Sequence, residues 1–385
     1  MAERVQVAPA LLAWAISRAN LSDDTVARRF PDFDKWIAED FGPTLKQLEN
    51  FASATHAPFG TFFMAEPPME SLPIPDFRTT SNDTVGAPSA DLLDTIYICQ
   101  MRQEWYRAFA ADRDYDRLPF VGSVEAGGSI EPAASEIRNA LSFGLEGRSR
   151  VGTWEQSRLD LIAAIEEIGV LVMVSGIVGN NTHRVLDPNE FRGFALSDDL
   201  APVIFVNGAD TQAAQIFTLI HELAHIWSGE SALPDVPMAT RGANESELWC
   251  NSVAAEVLIP LRSILAEYRG EATPDEISRL ARFFKVSTLV VIKRIYDAGR
   301  LEWDDFRRVY ELERSRVMAL SEERRKSGGG GNYYYTQPRR LSPQFTRAVI
   351  TDTLEGGTLH RDAYELLGTK KHETFVKLGE QVGVF

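Results

Sequence analysis

The sequence predicts an α+β protein that is mostly helical. Residues 8–67 contain several short amphipathic helices separated by tight turns, which indicates an N-terminal helix-turn-helix bundle. Short apolar runs at 170–174, 193–197 and 203–206 have the length of strands and predict a small sheet. Helical patterns dominate the rest of the chain. The prediction is therefore a helix bundle, a central domain with a small sheet and a long histidine-bearing helix, and a helical C-terminal extension.

Composition limits the classes of function. The 385 residues include 55 acidic and 40 basic side chains, a net charge of −15. An acidic chain is poorly suited to non-specific binding of nucleic acid or membrane surfaces. The two cysteines are too few for a disulfide framework, and no run approaches the roughly 20 apolar residues of a membrane span. Without a signal peptide at the N-terminus, the sequence predicts a cytoplasmic protein that does not enter membranes.

Changes of composition along the chain predict four segments. The helix-turn-helix domain covers residues 1–67, and a proline-rich linker covers 68–90. The domain with the sheet and the histidine helix covers 91–268. A helical C-terminal region covers 269–385.

The N-terminal module resembles helix-turn-helix domains of the XRE/Cro type. The matching residues are Leu21-Ser22, Val26 to Phe30, Trp36, Gly42-Pro43-Thr44 and Leu48. Operator binding needs basic and polar side chains on the recognition helix, but residues 32–40 contain four acids and one lysine. Acidic side chains there would repel DNA, so the sequence favours protein contact or homodimerisation, with sequence-specific DNA binding as the alternative.

The clearest chemical motif is His221-Glu222-Leu-Ala-His225. In a helix this spacing places both imidazoles on one face, one turn apart, where they can bind a single Zn²⁺ ion. Glu222 lies between them and could take a proton from the attacking water. The flanking residues are apolar, which predicts a buried helix. Buried histidines and a buried carboxylate need partners, and this favours a metal site over incidental surface histidines.

A catalytic zinc site needs a third protein ligand, and the next predicted helix supplies two candidates. Glu247 lies 22 residues beyond His225, far enough for a second helix to pack beside the first. Asn251 follows one turn later and could hydrogen-bond a ligating histidine. Glu256, among apolar neighbours, is the alternative ligand, although a buried acid paired with a base would give the same pattern. Glu247 is the favoured ligand.

These two helices together resemble the ImmA/IrrE family of metallopeptidases. The resemblance lies in HELAH at 221–225 followed by Glu247-x-x-x-Asn251-x-x-Ala254-Ala255-Glu256-x-Leu258-x-Pro260. It implies a zinc enzyme with a gluzincin-like site in which His221, His225 and Glu247 are ligands and Glu222 is the base. Trp249, Cys250 and Val253 depart from the usual family pattern.

The resemblance also implies a function. Members of the family typically cleave a repressor or another regulator in phage, mobile-element or stress-response circuits, so we expect a protein substrate of repressor or toxin–antitoxin type, encoded nearby. The strand at 193–197 could be a sheet edge that pairs with the extended substrate. The alternative function is a DNA-binding regulator or antitoxin-like protein with a little-used metal site. The sequence does not choose an oxyanion donor among His183, Arg192 and residues 333–335.

Overall fold

The structure is a computed structural model that describes residues 4–19, 21–70, 72–75, 88–144, 152–233, 244–326 and 340–385. Contacts divide the chain into two compact units, Met1–Pro73 with Thr84–Tyr97, and Ile74–Asp83 with Ile98–Phe385. The fold is mostly helical with one small sheet, so the predicted α+β class is confirmed. The predicted domain boundaries at 67, 90 and 268 remain predictions.

Short helices build the first unit around an aromatic core. They are α1 (Pro9–Arg18), α2 (Asp23–Arg29), α3 (Phe33–Ile37) and α4 (Leu45–Thr55), followed by a 3₁₀ helix at Phe59–Phe63. Phe51 of α4 lies at the centre, with its ring 5.0 Å from that of Phe30 and 5.6 Å from that of Phe62. Helix α4 begins with a capping box, because Thr44 accepts from the backbone of Gln47 and the Gln47 side chain accepts from the backbone of Thr44.

The remaining described helices follow in chain order. They are α5 (Ala90–Asp112), α6 (Ile130–Ala140), α7 (Trp154–Glu167), α8 (Gln212–Ser228), α9 (Glu245–Leu258), α10 (Leu261–Glu267), α11 (Pro274–Phe284), α12 (Thr288–Asp297), α13 (Trp303–Lys326), α14 (Pro343–Glu355), α15 (His360–Leu366) and α16 (His372–Gln381). No single described helix is long and apolar enough to span a membrane. The consecutive helices α9 and α10, which are bent relative to each other, pass the same test together, on length and composition alone.

Three short strands form the sheet, at the positions where the apolar runs predict them. They are β1 (Leu171–Ser175), β2 (Gly193–Leu196) and β3 (Val203–Asn207), in the order β1-β3-β2. β1 is parallel to the central strand β3, whereas β2 is antiparallel to it and forms an edge. Every residue of the three strands is buried, which explains why they are continuously apolar rather than alternating.

Helix α8 carries the histidine motif and lies in the middle of the second unit. Thr211 caps its N-terminus, with its side chain accepting from the backbone of Ala214, and Gly229 caps its C-terminus in a left-handed conformation with φ of +76°. The helix packs against β2 and β3 on one side and against α7 and α9 on others. Being covered by several elements, it is buried from 215 to 227. Helix α9 packs in turn against α6.

Candidate metal centre

The two histidines of α8 lie side by side in the protein interior. Because they are four residues apart on a helix, their rings project from the same face, and their Nε2 atoms are 3.2 Å apart. His221 is 4% exposed and His225 is fully buried. Two ring nitrogens at this separation can hydrogen-bond to each other or bind one shared partner.

Glu247 on α9 completes a group of three potential ligands. Its Oε2 lies 3.3 Å from His221 Nε2, and its Oε1 lies 3.0 Å from His225 Nε2. Tetrahedral zinc with ligand bonds of about 2.0–2.2 Å requires ligand atoms about 3.3–3.5 Å apart. The observed separations are within a few tenths of an ångström of that requirement. Of the histidine, cysteine, aspartate and glutamate side chains in the described residues, these three form the group that could hold a metal ion.

The buried carboxylates of the site lack the hydrogen-bond donors that such groups normally have. Neither oxygen of Glu222 has a hydrogen-bond partner, and the oxygens of Glu247 have none outside the two imidazoles. Both carboxylates are fully buried. A buried charge without donors or a counter-ion is costly, and a bound cation would remove that cost. The residues present therefore fit a divalent metal ion.

The pKa values of the two carboxylates of the site are shifted in opposite directions. Burial alone raises the pKa of Glu247, but His221 and His225 outweigh burial, and the pKa falls to about 2. Burial raises the pKa of Glu222 well above its usual value, and the nearby Glu247 raises it further. Burial also lowers the pKa of His221, which favours the neutral ring that a metal ligand requires. One carboxylate therefore stays ionised, whereas the other favours holding a proton.

The structure, but not the sequence, identifies two side chains next to Nδ1 of His225. His225 Nδ1 lies 3.5 Å from Cys250 Sγ and 3.8 Å from Glu230 Oε2. An acceptor at Nδ1 leaves Nε2 free to bind a metal ion. Neither residue is predicted from the sequence to have a role at the site. A signal existed for Cys250, because three residues after Glu247 it falls on the same side of the helix.

Asn251 and Glu256, the other two sequence candidates, lie in different surroundings. Asn251 is close enough to His221 to oppose the effect of burial on the pKa of that ring. The structure does not bring Glu256 into the group. Its carboxylate forms an ion pair with the buried Arg294 and accepts from the backbone of Leu261 at 3.2 Å. Glu256 is thus a buried acid paired with a base.

The edge strand β2 passes directly beside Glu222. A Cβ atom added to Gly193 would lie 3.1 Å from Glu222 Oε1 and 2.5 Å from Thr218 Cγ2. Only glycine, without a side chain, allows the strand to come so close to the helix. The backbone of Gly193 is therefore held next to the candidate base.

Part of the outer edge of β2 is already paired with the chain itself. Ala195 and Ala232 exchange two backbone hydrogen bonds of 3.1 Å, and Ser231 Oγ accepts from the backbone of Ser197 at 2.9 Å. Since residues two apart on a strand face the same neighbour, the backbone groups of Gly193 also face this outer edge. A chain that extends the pairing from Ala195 towards Gly193 would arrive next to Glu222.

The oxyanion donor remains unassigned. His183 lies exposed in a turn, and Arg192 forms an ion pair with Asp210, with Nε 3.4 Å from Oδ2. The tyrosines at 333–335 lie outside the described residues.

Comparison with known proteins gives two family matches. Residues 165–296 match the family model described as an IrrE N-terminal-like domain, Peptidase_M78. Residues 341–381 match a domain of unknown function, DUF8813. Searches of curated proteins and of solved structures gave no match. The first match spans β1 to α12 and so includes the histidine helix and the glutamate helix. Residues 165–296 are thus supported as a metallopeptidase domain of the ImmA/IrrE type.

Proposed function

We propose that this protein is a zinc-dependent endopeptidase that cleaves a regulatory protein, of repressor or toxin–antitoxin type, encoded nearby. The observation that carries the proposal is the buried group of His221, His225 and Glu247, whose ligand atoms are spaced as a tetrahedral metal site requires. The IrrE-type match over the same helices supports peptide hydrolysis as its chemistry.

The side chains of the site have separate roles in this proposal. His221, His225 and Glu247 would hold the zinc ion, with Asn251 beside the first ligand. When bound, zinc would polarise the scissile carbonyl and lower the pKa of water towards about 7. Glu222 would take the proton of the attacking water and pass it to the leaving amine.

The substrate would bind as an extended strand along β2. Gly193 lies close to Glu222 and its backbone groups face the outer edge, so a paired substrate strand would bring its peptide bonds near the base. The pairing of Ala232 with Ala195 occupies the neighbouring position. A substrate would therefore extend this short pairing or displace it.

Two measurements test the proposal. Zinc content of the purified protein, measured by atomic emission, should be about one ion per chain and should be lost in His221→Ala. His183→Ala, at an exposed histidine outside the group, is the matched control and should retain the metal. Glu222→Gln should retain zinc and fold but slow cleavage at least about 100-fold, the usual contribution of a general base.

The substrate can be sought by co-expression with products of neighbouring genes. Cleavage that occurs with the wild-type protein and stops in Glu222→Gln would identify the partner. A wild-type protein purified without zinc, or cleavage that persists in Glu222→Gln, would contradict the proposal. Repression or toxin neutralisation that survives Glu222→Gln would instead favour the alternative, a regulator with a little-used metal site.

For the N-terminal module we propose protein contact, including homodimerisation, rather than DNA binding. Asp34, Glu39 and Asp40 are exposed around the five-residue helix α3, and Lys35 forms an ion pair with Asp32 at 3.0 Å. These groups present negative charge where an operator would need positive charge. Sedimentation of the purified protein and a mobility-shift assay with DNA upstream of its gene separate the two cases. A specific DNA complex would overturn this assignment.

A further inference from the structure

A cavity lined by none of the residues of the metal group lies where α14 and the end of α16 meet α5 and α7. Its volume is about 940 Å³, at the upper end of the range of about 300–1,000 Å³ for small-molecule sites. Helices α5 and α7 contribute one side, and α14 with the end of α16 contributes the other. Helix α14 belongs to the segment that matches DUF8813, whereas Glu166, Glu167 and Val172 are the lining residues that fall within the IrrE-type match.

The walls of the cavity are mostly apolar. Phe109 packs between Tyr106 and Tyr115, with ring centroids 5.8 and 6.1 Å away. Aliphatic side chains, including Leu159 and Ile162 of α7, cover much of the rest. A surface of this kind favours a ligand with an apolar body.

The carboxylates of the cavity do not call for a positively charged ligand. Glu166 accepts three hydrogen bonds, from the backbone of Val172 at 2.7 Å, from Ser342 Oγ at 2.9 Å and from the backbone of Gln344 at 3.2 Å. Glu167 is exposed to solvent. Neither group therefore needs a cation for stability.

The arginines that line the cavity are engaged as well. Arg113 forms ion pairs with Asp352 at 2.9 Å and with Glu355 at 2.8 Å. Arg347 donates Nε to a backbone carbonyl at 3.0 Å, and Arg158 also has an interaction partner. An anionic ligand would therefore have to compete with these existing partners.

Two neutral polar groups are left with unused hydrogen-bonding capacity. Gln344 Nε2 donates to the hydroxyl of Tyr106 at 2.7 Å, but Gln344 Oε1 is buried and has no hydrogen-bond partner. The Tyr106 hydroxyl accepts this bond, and in the described part of the chain no acceptor is found for its own hydrogen. A neighbouring acceptor and donor match a ligand hydroxyl, which can donate to one and accept from the other.

We propose that this cavity binds an uncharged, mostly apolar small molecule that carries a hydroxyl group, with the hydroxyl held between Gln344 and Tyr106. The ligand would contact α5 and α7 on one side and α14 on the other. Its binding would stabilise the contact of α14 with α5 and α7, because it binds only when both sides are in place.

The purified full-length protein can be titrated with 1-octanol, and with octanoate and octylammonium as charged counterparts of the same length. Calorimetry should give a dissociation constant for 1-octanol at least about tenfold lower than for either ion, and 1-octanol should raise the melting temperature. Tighter binding of either ion would overturn the ligand class. Absence of binding by all three probes would overturn the site.

Substitutions in the cavity test where 1-octanol binds. Ala163 is exposed and lines the cavity, so Ala163→Trp should fill the cavity without disturbing the core and should abolish 1-octanol binding. Gln344→Met and Tyr106→Phe should each weaken 1-octanol binding about fivefold, the usual effect of one neutral hydrogen bond. Tyr97→Phe, at an exposed tyrosine outside the lining, is the matched control. If Gln344→Met and Ala163→Trp both bind 1-octanol like the wild type, the proposal is wrong.

Discussion

Replacing Glu166 by glutamine removes a half-buried carboxyl that joins three elements of the second unit. It lies at the end of α7 and accepts from the first turn of α14 and from β1. Burial raises its pKa from 4.5 to about 7, although its three hydrogen-bond donors oppose the change. At about 1.4 kcal/mol for each pKa unit, the difference corresponds to about 3 kcal/mol of unfolding free energy.

The direction of the pH dependence follows from the number of protons that the folded and unfolded states bind. Between pH 4.5 and 7 the folded protein keeps the Glu166 proton, whereas the unfolded chain, with an ordinary pKa, has lost it. Because the folded state binds more protons, the contribution of Glu166 to stability is fully present below pH 4.5. It falls as the pH rises and is lost above about pH 7. Glutamine does not titrate and should lack this slope.

The assay is urea unfolding at pH 5, 6, 7 and 8. The free energy of unfolding of the wild type relative to Glu166→Gln should fall by roughly 2 kcal/mol between pH 5 and 8, because part of the 3 kcal/mol lies below pH 5. Glu167→Gln, at the exposed neighbour, should show little pH dependence relative to the wild type. A difference between the wild type and Glu166→Gln that stays constant from pH 5 to 8 would refute the reasoning.

Three further substitutions test the surroundings of the metal centre. Glu256→Gln should destabilise the protein by about 1.5–3 kcal/mol in urea unfolding, because it removes the carboxylate that pairs closely with the buried Arg294 and leaves Asp297, 3.5 Å away, as its remaining described ion-pair partner, yet zinc content should not change. Gly193→Ala should cost about 1–3 kcal/mol, since its Cβ would lie within 2.7 Å of a neighbouring carbonyl oxygen, and unchanged stability would contradict the close approach of β2. Ala232→Pro removes the donor to the Ala195 carbonyl and should loosen the whole bridge, including the bond that the Ala195 amide donates to the carbonyl of residue 232, so hydrogen exchange at the Ala195 amide should accelerate at least about tenfold; an unchanged rate would show that the pairing does not protect this edge.

Helix periodicity lets the sequence alone place the histidine motif. At 3.6 residues per turn, His221 and His225 must share a face, and the apolar residues around them indicate burial. The three strands were also predictable, because a strand buried on both faces is a continuous apolar run. These features depend on the spacing of residues along the chain, which can be read directly from the sequence.

Tertiary packing decided which acid approaches the histidines. Glu247 and Glu256 are nine residues apart, which at about 100° per residue places them on opposite sides of α9. The sequence does not say which side packs against α8. In the structure the Glu247 side faces the two imidazoles, and Glu256 pairs with Arg294 from a distant helix.

The contacts behind and beside the site were likewise set by the fold. Cys250 and Glu230 meet His225 Nδ1, and Ala232 pairs with Ala195 across 37 positions of sequence. Contacts between residues far apart in sequence depend on how helices and strands come together. Local patterns fix the direction of each side chain around its own helix or strand, whereas its partners depend on the packing of the whole domain.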